Sequence, residues 1–545
     1  MNALQVKRQV FLLLLTIASN APISVIAQAK YFIEFKDKQN TTYSVDRPNE
    51  FLSARAIERR QRQGIAIDTN DLPVSTTYMA QVAQIATEIY YPLRWFNGVV
   101  ATLTPEQLTA IQELSYVKSV TKIFEPIKSV AKTETYKQPA KQNEKAIFAN
   151  LNYGPSFTQV AMMNGHLLHA TGYLGQEKVI AVLDAGFLNV NTHNAFDSLW
   201  QRGRILGTRD FVNPQSDIYQ EHYHGTMVLS AMGGYIDGQL IGTAPRAKYW
   251  LIRTEDAATE QIIEEYNWAA GAEFADSVGA DIINSSLGYT TFDVASQNHT
   301  YQDLNGNTAP VTLAANMAAS KGMVVVVSAG NEGNAPWHYI SVPADSPHVL
   351  TVGAVDNKKV KADFSSFGPT SDGRIKPDVC AMGKDAVLAI ATGTTGTSNG
   401  TSFSSPLMAG MVACLWQAKP SLTAQQVVEL VKNSSSNYTS PDNGIGYGIP
   451  DFALASTSST TDSKKGIKIW PNPFASKINI HIGKSFMPAK ISIFTTNGQL
   501  IHTEKAISDG VGHIEINVPD ELPKGIYLLS ILITGNSYYV TGTKQ

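Results

Sequence analysis

Apolar and polar residues follow three successive rhythms along the chain. Between residues 30 and 130 the strand-like segments are short and isolated. Tyr31-Phe32-Ile33-Glu34-Phe35 reads as one strand, Trp95–Leu103 as a second and Val117–Val120 as a third. Between them Leu52–Gln63 has helical spacing and carries Arg55, Arg59, Arg60 and Arg62. After the second strand, Thr104-Pro105-Glu106-Gln107 opens another helix. Thr104 is its N-cap, Pro105 sits at the first helical position, and Gln107 can complete a capping box.

The rhythm changes in the centre. Lys178–Leu183, Tyr249–Arg253, Ala280–Asn284, Met323–Ser328 and Val349–Val355 are apolar at both odd and even positions. A strand needs that only when both faces are covered. Helical stretches such as Ala257–Val278 and Thr312–Ser320 alternate with these runs. The pattern predicts a mostly parallel, doubly wound α/β sheet over about 146–455, with ligands bound at the carboxyl ends of its strands.

Past residue 466 the period returns to two. Ile478–Ile482 and Ala489–Phe494 alternate, and Asn497-Gly498 is a hairpin signal, so 467–545 predicts a small all-β sandwich. Two polar, unpatterned stretches, 131–145 and 456–466, read as linkers; the first is an exposed site suited to processing. There are no internal repeats.

Length and composition fit this division. A chain of 545 residues exceeds one ordinary core, and 43% hydrophobic with 16% charged residues is typical of globular domains. A net charge of −3 gives no reason to expect nucleic acid as a partner. Residues 1–29 read as a secretory signal, with Lys7 and Arg8 before an apolar Val10–Ala18 and small residues at Ala27-Gln28-Ala29 for cleavage after Ala29. No later run has spanning length, so no transmembrane segment is expected in the mature chain. Two cysteines, Cys380 and Cys414, do not make a disulfide scaffold; their pairing is left open.

The chemistry lies in three glycine-rich segments. Asp184 ends the run Val179–Leu183 and precedes Ala185-Gly186. His224 precedes Gly225 and the apolar stretch Thr226–Met232. Ser402 lies in Gly400-Thr401-Ser402-Phe403-Ser404-Ser405-Pro406, before a helical stretch to Ala418. A serine hydroxyl attacks a carbonyl only when a base takes its proton and donors meet the charge that develops. Ser402 near a helix N-terminus, His224 as base and Asp184 as its orienting carboxylate supply the first requirement. Asn331, after Ser328-Ala329-Gly330, offers a side-chain amide as oxyanion donor. Each piece alone is a common turn or cap; order and placement at strand ends make the set specific.

With these residues the central region resembles the subtilisin-like serine proteases. The likeness also rests on Thr351–Val355, Phe364–Pro369 and Lys376-Pro377-Asp378. It implies Asp184, His224 and Ser402 as a triad, Asn331 in the oxyanion hole, and Ser286-Leu287-Gly288 as an edge strand that pairs with a polypeptide substrate. Residues 30–130, through Trp95-Phe96-Asn97-Gly98 and Leu103–Leu108, look like a subtilase propeptide, an intramolecular chaperone and inhibitor. Residues 467–545, through Trp470-Pro471-Asn472-Pro473-Phe474 and Lys524–Leu529, look like a type IX secretion sorting domain. That implies secretion machinery as a partner and export across a bacterial outer membrane, to the surface or beyond. Ala185, Met227 and Phe403 depart from the family's usual residues. The resemblance requires no cofactor for chemistry and is compatible with structural calcium, for which no ligands are assigned.

His222-Tyr223-His224 has a zinc-like spacing without a third ligand cluster. Asp303–Asn307 starts like a calcium loop, but its twelfth position is Ala314. The arginines at 55–62 are expected to form a solvated helix face. A secreted binding protein on an inactive protease scaffold, and an ester hydrolase, stay open as rivals to a serine endopeptidase made as a zymogen.

Overall fold

The computed structural model describes residues 29–126, 147–148, 151–458 and most of 468–545 (483–486, 496–498, 510–512, 520 and 534–535 excepted). The signal segment through residue 28, the linker 131–145, residues 459–466 of the second linker and the Asn497-Gly498 turn lie outside the described residues.

The central strands form one seven-stranded sheet. In spatial order they are Val379–Met382, Leu350–Val355, Val324–Ser328, Ile282–Ser285, Val179–Asp184, Lys248–Arg253 and Ile205–Asp210. Every pairing in it is parallel. All five apolar runs are strands of this sheet; Ile205–Asp210 and Val379–Met382 add its edges. Both parities of each run are used. Ile180 and Val182 face one core with the helices His224–Gly233 and Thr401–Ala418. Val179, Ala181 and Leu183 face the other, with Ile263–Val278 and Pro310–Ser320. From Val179–Asp184 the chain builds outward first on one side, then returns to build on the other from Ile282–Ser285. That junction is the topological switch point, where the strand ends part to leave a crevice.

The helix expected from Ala257 starts at Ile263 instead. Residues 254–262 are held as a loop by side chains: Glu260 N–H donates to Asp293 (2.8 Å) and Ile262 N–H to Gln297 (3.0 Å). Such donors compete with helical hydrogen bonds. The helix ends on Gly279 in the left-handed conformation (φ 83°).

The N-terminal module is an antiparallel sheet, in order Glu88–Leu93, Gly98–Thr102, Lys30–Phe35 and Val117–Phe124. The helices Thr76–Ile85 and Pro105–Gln112 pack on one face. The capping box at Thr104 and Gln107 is formed as the sequence predicts. The other face, with Phe32, Leu93 and Val100, packs on the central helix Ile263–Val278.

The helix Ala54–Gln63 corrects one expectation. Its basic face is only partly solvated, with Arg62 exposed and Arg55 a third exposed. Arg59 and Arg60 are fully buried against the central domain. Arg59 pairs with Asp276, which also takes Arg60 at 2.8 Å and Arg94 at 2.5 Å, and Arg60 reaches Asp71 at 2.9 Å. Burial alone would raise the Asp276 carboxyl, but the three guanidiniums hold it below the usual range. Periodicity revealed the helix; only the partner domain reveals which side of it carries buried charge.

The C-terminal module is two antiparallel sheets. One is Lys468–Trp470, Lys477–His481 and His513–Asn517; the other is Leu500–Ile507, Pro488–Thr495, Gly525–Ile533 and Asn536–Lys544. Alternate residues such as Ile478, Ile480, Ile491 and Ile493 make the core between them. Its approach is a short helix, Phe452–Thr457, that overruns the expected start of the linker by two residues. Cys380 and Cys414 are free and buried, and burial pushes the Cys380 thiol up to about 12.

Candidate active site

The crevice at the switch point is a cavity of about 270 Å³ whose wall includes His224, Ser286, Asn331 and Ser402. Asp184 is the last residue of its strand and is fully buried behind them. Its Oδ1 accepts from Ala185 N–H (2.8 Å) and meets His224 Nδ1 at 2.8 Å. His224 is the first residue of the helix His224–Gly233. His222, beside it, accepts the His224 N–H through its own Nδ1 at 3.4 Å.

The glycines flanking these two residues have a steric purpose. A Cβ on Gly225 would lie 2.3 Å from the Gly186 carbonyl oxygen, and one on Gly186 would lie 2.3 Å from His222 N. The segments carrying Asp184 and His224 therefore touch backbone to backbone. No larger residue leaves room for the carboxylate and imidazole to meet.

Ser402 stands in the first turn of the helix Thr401–Ala418. The helix starts five residues earlier than the periodicity from Pro406 suggests, and Pro406 lies within it. A proline has no N–H for the carbonyl four residues back, which is that of Ser402. Ser286 Oγ supplies the missing donor at 2.9 Å. In turn Ser402 Oγ donates to the Ser286 carbonyl at 3.3 Å. Asn284 Nδ2 donates to Ser286 Oγ (3.3 Å), and Ser405 Oγ donates to Asn284 Oδ1 (3.0 Å).

Asn331 is oriented by Thr401. Its Oδ1 accepts from Thr401 N–H at 2.8 Å and lies 3.0 Å from Thr401 Oγ1. With the oxygen tied down, the amide NH₂ is the half left to donate into the cavity it lines. The preceding Gly330 has φ 110°, a conformation that favours glycine. Ser286–Gly288 continue past the strand Ile282–Ser285 and line the same cavity. They join no ladder among the described residues.

The site residues expected from the sequence thus meet at one crevice: His224, Ser286–Gly288, Asn331 and Ser402 line it and Asp184 backs His224. Reading the sequence missed Thr401, the Ser286 hydroxyl and the cleft carboxylates Glu255, Glu260 and Glu332. Pro406, four residues after Ser402, was the available signal that the Ser402 carbonyl needs an outside donor. Nothing local marks the three glutamates.

The subtilase family model matches residues 175–448. The chain is a member of the subtilase family. An S8 peptidase propeptide domain of Bacteroidota matches residues 30–143, and a secretion system C-terminal sorting domain matches 468–541. This subtilase is 30% identical to subtilisin NAT of Bacillus subtilis subsp. natto over 283 residues, 51% of this chain and 65% of that protein, just under two thirds of its length. It is also 30% identical to the subtilisin of Bacillus pumilus, again over 283 residues, which are 90% of that protein. Serine protease AprX of Bacillus subtilis (strain 168) is 29% identical over 383 residues, 65% of this chain and 77% of its own. The sorting domain indicates that the subtilase is exported, to the cell surface or beyond. No helix among the described residues is long and apolar enough to cross a membrane.

Proposed function

We propose that this subtilase is a serine endopeptidase made as a zymogen, with Ser402 as nucleophile. The hydroxyl turns from the Ser286 carbonyl toward His224 Nε2, gives up its proton there and attacks a peptide carbonyl. Asp184 Oδ1, bound to Nδ1–H, fixes the tautomer and supports the imidazolium. Asn331 Nδ2 and the Ser402 N–H, in the first turn of its helix, receive the oxyanion. His224 passes the proton to the leaving amine. Water, deprotonated by the same imidazole, then hydrolyses the acyl ester. The backbone of Ser286–Gly288 is suited to pair with an extended polypeptide. The observation that carries this reading is the 2.8 Å Asp184–His224 bond in a crevice shared with Ser402 and Asn331.

The domain division follows: propeptide 30–130, processing linker 131–145, catalytic domain 146–455, linker 456–466 and sorting domain 467–545. In support, Glu125 exchanges two 2.8 Å hydrogen bonds with the Gln261 side chain, and the neighbouring Glu260 lines the cleft. Glu125, near the end of the described propeptide residues, therefore lies beside the cleft.

The test is a fluorophosphonate probe on the full-length chain, alongside Ser402→Ala. The wild type should label at Ser402 and cleave a protein substrate. The variant should do neither, with proteolysis falling to background. A folded wild-type chain that stays unlabelled after its propeptide has been removed would mean an inactive scaffold. N-terminal sequencing of the processed chain checks the linker.

A further inference from the structure

A second cavity, of about 240 Å³, lies where the propeptide sheet meets the catalytic domain. The propeptide puts Lys30, Tyr90 and Phe124 in its wall. Its other charged groups, Glu221, Arg253, Asp256 and Glu264, come from the catalytic domain. Three carboxylates thus face two cations. Arg253 is committed: its guanidinium reaches Asp210 at 3.2 Å, Glu221 at 3.3 Å and Asp256 at 3.8 Å. The Lys30 side chain turns its ammonium to two rings, 4.0 Å from the Tyr90 centroid and 5.2 Å from that of Phe124. The carboxylates that draw it are Glu88 and Asp256.

Glu264 is the carboxylate left over. It is 1% exposed, and neither of its carboxylate oxygens has a hydrogen-bond partner among the described residues. Burial, then the charges of Glu255, Glu260 and Asp256, push its carboxyl well above the ordinary range, against a weaker pull from the Asp256 main chain. A buried carboxylate with no counter-charge is unfavourable. The cavity is one cation short.

The sequence supplies that cation at the cavity wall. Cleavage of the signal segment is expected after Ala27-Gln28-Ala29, and the strand Lys30–Phe35 begins on the next residue. A signal peptidase adds water across the Ala29–Lys30 bond, leaving a carboxylate on Ala29 and an α-ammonium on Lys30. The cut also removes the Ala29 carbonyl, which accepts from Leu103 N–H at 3.4 Å. The new first residue is then free to turn. Its amine is charged near neutral pH and carries three donors, which suits an unpartnered carboxylate.

We propose that this cavity is a receptor for the chain's own new N-terminus: removal of the signal segment after Ala29 puts the Lys30 α-ammonium in it, where it pairs with Glu264 and tightens the propeptide on the catalytic domain. This builds on the zymogen reading above. In a dry space the pair is strong enough to hold Glu264 ionised. Full docking of the inhibitory domain therefore waits on export, since a chain that keeps its signal segment lacks the pair.

The test uses full-length Ser402→Ala chains, in which self-processing is blocked. One begins at Lys30; the other keeps Ala27-Gln28-Ala29 ahead of it. The first should melt about 2 °C or more higher, and Glu264→Gln should remove the difference. Lys30→Met, which keeps the α-amine and removes only the ε-ammonium, should preserve it. In the chain that begins at Lys30, acetic anhydride at about pH 8 should acetylate the α-amine about tenfold more slowly, or slower still, than in the same chain unfolded in urea, as read by mass spectrometry of the N-terminal peptide. That measurement needs no variant at Glu264. Equal melting of the two chains overturns the proposal, as does a difference that survives Glu264→Gln or an α-amine as reactive as in urea. Loss of the difference in Lys30→Met would assign it to the ε-ammonium and overturn the proposal too, as would an exported zymogen whose first residue is not Lys30. None of these readouts is proteolysis, so their failure and the failure of the Ser402 reading are told apart.

Discussion

Ser286 Oγ donates a 2.9 Å hydrogen bond to the carbonyl of Ser402, taking the place of the N–H that Pro406 lacks. The backbone of Ser402 is thereby tied to the segment Ser286–Gly288 that lines the cleft. Removing the Ser286 hydroxyl leaves a buried carbonyl unsatisfied, at a cost of about 1–3 kcal/mol. Pro406→Ala restores an N–H four residues on. Ser286→Ala should therefore be less destabilising in the Pro406→Ala background than in the wild type, with a coupling of about 1 kcal/mol in a double-mutant cycle of unfolding free energies. Strict additivity would separate the two residues.

Thr401 anchors the side-chain oxygen of Asn331, whose amide is the proposed oxyanion donor. Asn331→Leu should lower kcat by about 10²–10³ with little change in KM. Thr401→Val keeps the main-chain donor to Asn331 Oδ1 and removes only the hydroxyl. Its loss of kcat should be smaller, about tenfold. Steady-state kinetics on both variants test this; equal losses would mean that the backbone bond does not orient the amide.

Gly225→Ala pushes a methyl carbon to 2.3 Å from the Gly186 oxygen. Backbone must shift there, separating Asp184 from His224. The variant should melt lower, by about 1–3 kcal/mol of stability, and lose activity far beyond what that destabilisation explains. Thermal melts and residual kcat on the folded fraction separate the two effects.

Glu273 joins the propeptide to the catalytic domain. Its carboxylate accepts the N–H groups of Arg94 and Trp95, each at 2.9 Å. Burial pushes its carboxyl up to about 7, with Arg94 and the two N–H groups pulling the other way. A carboxyl raised in the folded state binds a proton that the unfolded chain releases from about pH 4.5 upward. Its contribution is fully present below pH 4.5, declines from there and levels off above pH 7, by roughly 3 kcal/mol in all. Asp276 has the opposite sign: its lowered carboxyl stabilises above the ordinary carboxylate range and loses that effect only in strong acid. Unfolding of the Ser402→Ala zymogen followed against pH should show the decline, and Glu273→Gln should flatten it. A wild-type profile flat from pH 4.5 to 7 would place the charge on Glu273 elsewhere.

Much of this architecture is legible in one dimension. The doubly apolar runs 178–183, 249–253, 280–284, 323–328 and 349–355 require covering on both faces, and all five became parallel strands. Thr104 and Gln107 formed the capping box because its partners lie three residues apart. The helix start at Ile263 was not legible, since the groups holding 257–262 as a loop, Asp293 and Gln297, are about thirty residues away. The buried Arg59 and Arg60 were missed for the same reason, as their main partner Asp276 lies more than two hundred residues on.

Sequence alone determined the layer order, the residue types at three glycine-rich strand and helix ends, and the modules before and after the catalytic domain. These depend on period, propensity and short motifs, which act between neighbours. Tertiary structure decided the rest: that Asp184 meets His224, that Ser286 completes the helix of Ser402, that Thr401 turns the amide of Asn331, and that Glu332 shares a cleft with Glu255 and Glu260. Hydrogen bonds and charge fields act through a few ångströms of space. The hydrogen-bonded pairs among these residues are separated along the chain by 40 to 116 positions.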